Sequence, residues 1–197
     1  MHISEEDGKP KYLPADEYLS GNVREKLRWA KQSAELYPED YGENVRALEA
    51  VQPVDLTASE ISVRLGATWL PPETIEEFMF ELFSTPRYCQ WNIHVHYAQY
   101  TGEWNVEGKS YDRGNLKAYN TYGTKRVNAY KIIEDTLNMK DVRVFDYIED
   151  DEGKKKAVLN KKETAIAQSK QELIKQGFQD WVWRDPARRE KLVRLYN

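Results

Sequence analysis

Between Lys109 and Lys131 the chain sets the cations Lys109, Arg113, Lys117, Lys125, Arg126 and Lys131 against one acid, Asp112. Tyr111, Tyr119, Tyr122 and Tyr130 are interleaved with them. Ammonium and guanidinium groups neutralise phosphates, and phenol rings stack on bases. Gly114 and Gly123 would let the segment approach a backbone closely. The candidate nucleic-acid-binding residues are therefore Lys109, Tyr111, Arg113, Lys117, Tyr122, Lys125 and Arg126. The plain alternative is a solvated loop and outer helix face, with Tyr130 in the core.

Other reactive residue types lack the company their chemistry needs. Arg184, Arg188, Arg189, Lys191 and Arg194, tempered by Asp185 and Glu190, would flank DNA, dock on a neighbouring domain or form the solvated side of a terminal helix. Leu192 and Leu195 point the other way and want a partner. His94 and His96 lie two apart and share a strand face, with Cys89 nearby in sequence. Zinc needs three or four ligands in fixed geometry, so a polar sheet face is expected and no metal. Cys89 as a nucleophile would need a base and an oxyanion site. Glu77 and Glu81, beside Glu73 and Glu76, fit a solvated helix face better than an acid–base pair in a cleft. In the acidic run from Asp146 to Glu152, Gly153 as sixth loop position would put Ile148 first, where calcium requires an acid. A hairpin turn is expected there instead. Gly123-Thr124-Lys125 has the wrong order and glycine spacing for a phosphate loop. No catalytic residue and no cofactor is assigned.

The elements that must carry these residues are legible in part. Ser20 can cap a helix to Leu36, with Val23, Leu27, Ala30 and Ala34 at helical spacing. Pro38 and Asp40 should break it, and a short helix should run from Asn44 to Val51. Thr57-Ala58-Ser59-Glu60 has the form of a capping box. Pro71-Pro72 should start a helix whose inner side is Ile75, Phe78, Met79, Leu82 and Phe83. Trp91, Ile93, Val95 and Tyr97 alternate with polar residues as in a strand, and Trp104 and Val106 form its return. Thr124 is a cap for a helix to Leu137. Val142, Val144 and Tyr147 suggest a strand returning through Ala157, Val158 and Leu159. Helices from Lys162 to Trp183 and after Asp185-Pro186 end the chain. Trp69, Trp91, Trp104, Trp181 and Trp183 are expected as core or interface anchors, and Trp29 as partly exposed. The expected class is α+β: an N-terminal helical bundle, a small antiparallel sheet and long C-terminal helices. The expected segments are an N-terminal tail over 1–11, a helical subdomain over 12–88, an α+β subdomain with hairpins over 89–160 and C-terminal helices over 161–197.

Composition narrows the function classes. The 197 residues suit one medium domain or two small ones. Mean hydropathy is -0.82, and no apolar run approaches the roughly 20 residues a spanning helix needs, so no membrane role is expected. The start has no basic region followed by an apolar one, as a secretory signal would. Cys89 is the single cysteine, which rules out an internal disulfide and suits a reducing cytoplasm. With net charge -4, nucleic-acid contact has to come from a local patch.

Several long words occur in order from residue 12 onward. They are Tyr12-Leu13-Pro14-Ala15-Asp16-Glu17-Tyr18-Leu19-Ser20-Gly21-Asn22-Val23-Arg24, Ile61 to Trp69 followed by Pro71-Pro72, Thr101 to Asn105, Thr121 to Tyr130, Asn160 to Thr164, Phe178 to Trp181 and Arg194 to Asn197. In these words the chain resembles the connector segment of large bacterial mobile-element proteins that fuse an adenine DNA methyltransferase to a superfamily-2, Snf-like helicase. The resemblance implies a segment lying between the two engines and containing neither the Asn-Pro-Pro-Tyr-type loop nor the Gly-Lys-Thr phosphate loop. It implies DNA and the adjacent methyltransferase and helicase domains as partners, a cytoplasmic setting, and a helicase domain beyond residue 197. A non-catalytic, DNA-positioning connector is the leading expectation, and a protein-interaction scaffold without DNA contact is the alternative.

Overall fold

The computed structural model describes residues 2–6, 9–149 and 154–197, with side chains from Lys11 onward. Its architecture is α+β, as expected, with helices and, among the described residues, three separate two-stranded antiparallel sheets. Backbone contacts divide it after Asp55 into two units, not at the expected 88/89 boundary. The helix after Pro71 packs on the central hairpin and on the long C-terminal helix, so it belongs with the later elements of the chain.

The first unit opens with strands β1 (His2–Glu6) and β2 (Lys9–Leu13), which take in the N-terminal tail. His2 pairs with Leu13 and Glu6 with Lys9. The apolar alternation that marks a half-buried strand is missing from these polar residues. Helices α1 (Ala15–Tyr18), α2 (Val23–Leu36) and α3 (Pro38–Ala50) come next. Asn22, not Ser20, caps α2, its Oδ1 accepting the Glu25 N–H at 3.1 Å. Ser20 instead donates back to the Glu17 carbonyl. α2 ends at Leu36, and Pro38 is the break expected there. It stands at the first position of α3, where a missing N–H costs nothing, so the helix begins six residues before the expected Asn44. α2 and α3 pair around Tyr18, Ala30 and Leu48, and the buried Asn44 amide donates to the Tyr18 hydroxyl at 3.1 Å. Trp29 is half-buried, edge-on to Tyr41.

In the second unit the Glu60 carboxylate accepts from the Thr57 N–H and hydroxyl, as a capping box would. It closes a turn rather than a helix. Ile61, Val63 and Leu65 then bury alternate side chains in an extended run. Helix α4 (Pro72–Phe83) presents Ile75, Phe78, Met79 and Phe83 to the core. The four-residue α5 (Arg87–Gln90) precedes β3 (His94–Ala98) and β4 (Glu103–Glu107), which place Val95 opposite Val106 and Tyr97 opposite Trp104. Because the chain is helical up to Gln90, Trp91 lies outside the strand and is 82% exposed, not a core anchor. Helix α6 (Ala129–Leu137) is capped by Asn128, four residues after the expected Thr124.

Strands β5 (Phe145–Glu149) and β6 (Lys155–Leu159) form the last hairpin. Val142 and Val144, expected within it, are buried in the approach. The expected turn at Asp150-Asp151-Glu152-Gly153 lies outside the described residues. Helices α7 (Lys161–Val182) and α8 (Pro186–Tyr196) start at the Asn160 and Asp185 caps. The side of α8 expected to lack cover is largely packed. Leu192 is buried, Tyr196 meets Trp69 edge-on, and the Asn197 amide bridges the Leu56 N–H and carbonyl. Leu195 stays exposed.

Candidate nucleic-acid interface

The stretch from Lys109 to Lys131 is organised by a buried polar knot. Asp112 is 3% exposed, and its Oδ2 accepts from the Tyr130 hydroxyl at 2.7 Å and the Asn115 amide at 2.6 Å. The Tyr130 hydroxyl also meets Thr85 Oγ1 at 2.7 Å. Burial pushes the Tyr130 phenol far above its ordinary range, so it stays neutral and donating. Asn115 ties the loop to α4 through the Phe83 carbonyl. Cys89 lies beside the knot, its Sγ 3.6 Å from the Tyr111 carbonyl. Burial, helped by Asp112, raises its thiol pKa, which opposes thiolate formation and a nucleophilic role.

A turn with π-helical bonding (Lys117–Thr121) continues the loop. Gly123 closes it against backbone, since a Cβ there would lie 2.1 Å from the Ala118 carbonyl oxygen. The Thr124 hydroxyl accepts from the N–H groups of Arg126 and Val127, a local turn that delays α6 to Asn128.

The candidate side chains divide into two groups. Tyr111, Arg113, Lys117 and Lys125 are exposed. Lys117 reaches the Ser84 hydroxyl at 2.8 Å. Lys125 borders a groove of ≈ 410 Å³ with Leu116, Tyr119, Ile166 and Lys170. The other three are engaged by neighbouring side chains, although Arg126 is also exposed. Lys109 is half-buried, its Nζ between the Val106 carbonyl and Glu134. Arg126 pairs with Asp146 and donates to the Phe145 carbonyl at 2.6 Å. Tyr122 is half-buried against Phe83, with ring centroids 5.7 Å apart. Lys131 is likewise paired, with Glu134 and Asp135.

Burial alone would raise the Glu134 carboxyl. Lys109, Lys131 and the Val106 N–H outweigh it and hold the group at about 2. Gly108-Lys109-Ser110 carries the closing letters of a phosphate loop, with Gly102 one residue too far upstream. The residues between are strand β4, and the Lys109 ammonium is committed to Glu134.

The second basic run is structural at two of its positions. Arg188 is buried, lies 3.4 Å from the Trp181 ring centroid, and bonds Glu77 and the Trp181 and Val182 carbonyls. Arg184 pairs with Glu81, which also accepts from the Trp181 indole at 2.7 Å. Glu77 and Glu81 are therefore the anchor of α7 and α8 on α4, not simply a solvated face. His94 and His96 stand exposed beside Glu76 and Glu107. Among the described residues no three His, Cys, Asp or Glu side chains cluster as metal ligands would. No described helix is long and apolar enough to cross a membrane.

No curated protein and no solved structure matches the chain. Residues 64–197, two thirds of the sequence and most of the second unit, match a family described as "Domain of unknown function (DUF8437)". That span holds the knot, all seven candidate residues and the arginine anchors, and the chain belongs to the DUF8437 family.

Proposed function

We propose that this chain is a non-catalytic, DNA-positioning connector of a bacterial mobile-element protein that joins an adenine methyltransferase to a Snf-like helicase. The ordered words from Tyr12 to Asn197 support the context. One observation carries the DNA contact: the only acid between Lys109 and Lys131, Asp112, is turned into the core. The outer side of the loop then presents Arg113, Lys117 and Lys125 in a chain whose net charge is -4. Contact made this way is local and salt-sensitive, since each neutralised phosphate releases condensed counterions. The segment works in the cytoplasm between its two neighbours and uses no cofactor of its own.

The test is binding of a labelled duplex and a labelled single strand across a salt series. Arg113→Ala, Lys117→Ala and Lys125→Ala together should cost at least about tenfold in affinity at low salt. Lys109 and Arg126 are left intact because each is already engaged in an ion pair, with Glu134 and with Asp146. Unchanged affinity in the triple variant would remove this patch from the reading.

A protein-interaction scaffold is the second reading, favoured by the β5–β6 hairpin. Phe145, Tyr147, Ile148, Val158 and Leu159 are all exposed on it. Absence of DNA binding at low salt, with hairpin-dependent capture of the adjacent parent domains, would select it.

A further inference from the structure

We propose that the surface formed by α5 and the loop after β4 is a platform for single-stranded nucleic acid, with Tyr88, Trp91 and Tyr111 stacking on bases and Arg87 and Arg113 holding phosphates. The proposal rests on the DNA-positioning reading and moves its centre from Lys117 and Lys125 to a neighbouring face.

Three aromatic side chains are held out in water here. Tyr88 is 77% exposed, Trp91 82% and Tyr111 62%. They are not loose ends. Cys89 is buried, which turns Tyr88 and Trp91, three residues apart, outward together. The Asn92 amide donates to the Tyr88 carbonyl, and a His94 ring nitrogen lies 3.2 Å from the Trp91 carbonyl. The loop bearing Tyr111 is pressed onto this turn. Gly108 has φ +71°, and a Cβ on it would lie 1.8 Å from the Asn92 carbonyl oxygen. The Cys89–Tyr111 contact continues the join. Asp112 then points inward, so its neighbours Tyr111 and Arg113 face out.

The charge on this surface selects the occupant. Arg87 and Arg113 are exposed, and neither has an ion-pair or hydrogen-bond partner for its guanidinium among the described residues. Asp112, the acid beside Arg113, is consumed by the knot. Unneutralised arginines beside aromatic faces match a polyanion that also offers flat π surfaces. A duplex hides those surfaces in its own stack, whereas a single strand presents them.

The experiment uses the full chain, a labelled 15-nucleotide thymidine strand and a labelled duplex of the same length. Anisotropy titrations at several salt concentrations should show the single strand bound at least about tenfold more tightly. Trp91→Ala and Tyr111→Ala should each cut single-strand affinity about 5- to 100-fold, and Trp91→Phe should retain most of it. Arg87→Ala with Arg113→Ala should flatten the log affinity against log salt slope by about 1.4. These side chains are exposed, so thermal melting of the variants should stay close to wild type. Lys117→Ala with Lys125→Ala should weaken duplex binding more than single-strand binding.

Single-strand binding indifferent to Trp91→Ala and Tyr111→Ala overturns the platform. Duplex binding that depends on Lys117 and Lys125 would, in that case, leave the DNA-positioning reading standing. No binding of either form at low salt overturns both. Absence of single-strand binding with Trp91-dependent association to anionic vesicles or to a protein assigns the surface to that partner and overturns the platform.

Discussion

Glu134 sits where two lysines and a strand N–H converge, and its ionisation is coupled to folding. Its carboxyl is held at about 2 against an ordinary 4.5, and its side chain is 13% exposed. A depressed folded value means the contribution to stability is complete above about 4.5 and is lost as pH falls toward about 2. The amount is on the order of 3 kcal/mol. Urea denaturation of wild type and Glu134→Gln should therefore differ at neutral pH and converge through this acid window. A constant gap down to pH 2 would show that the ion pairs contribute nothing that titrates. Tyr130→Phe tests the knot. It keeps the ring but removes one donor from buried Asp112, and should cost about 1–3 kcal/mol at pH 7. A loss much below about 0.5 kcal/mol would mean that Asp112 finds another donor when Tyr130 cannot supply one. Residue types at these positions were legible in the sequence, and their partners were not. The Lys109–Lys131 stretch announces cations and tyrosines, but the acids that claim Lys109 and Arg126 are Glu134 and Asp146, many residues later. Only the folded chain brings them together.

At the scale of elements, a cap spelled out in adjacent residues was readable in some places and not in others. Asp185-Pro186 starts its helix as its sequence says, whereas Thr57–Glu60 has the letters of a capping box and closes a turn. Thr124 and Asn128 are both competent caps, and the tie is broken by the Thr124–Val127 turn, whose backbone bond measures 2.7 Å. Pro38 is ambiguous for the same reason, since proline ends one helix and begins the next equally well. What no local pattern shows is why acids recur on α4. Glu77 and Glu81 meet Arg188, Arg184 and the Trp181 indole, fastening α7 and α8 to α4. Arg188 is 8% exposed, and its fork serves one carboxylate and two carbonyls at once. Arg188→Ala should cost about 2–4 kcal/mol in chemical denaturation, because it empties a buried site and removes the guanidinium that stacks on Trp181 and bonds Glu77. Arg188→Lys should recover less than half, since a single ammonium cannot reproduce the planar fork or its stacking on Trp181. Full recovery by lysine would reduce the anchor to a point charge.

At the scale of the whole molecule, the division after Asp55 was hidden from the sequence because helices stand on both sides of it. The switch to strand period at Ile93 is more conspicuous, yet it falls inside a unit. The main core draws only on residues from Val63 to Leu192, while Tyr18, Ala30 and Leu48 form a separate small one. A domain with its own core can fold alone. Residues 56–197 expressed by themselves should therefore melt cooperatively, within a few degrees of the corresponding transition in the full chain. Limited proteolysis of the full chain should cut first between Val51 and Glu60, where turns and exposed backbone replace helix. Mass spectrometry of the fragments would locate the cut, and calorimetry of the 56–197 protein would test the core. A fragment that fails to melt cooperatively, or a first cut near residue 88, would show that the first unit is required to complete the second. If the 56–197 protein also keeps the single-strand affinity of the full chain, the binding surface and the DUF8437 match occupy one self-sufficient body.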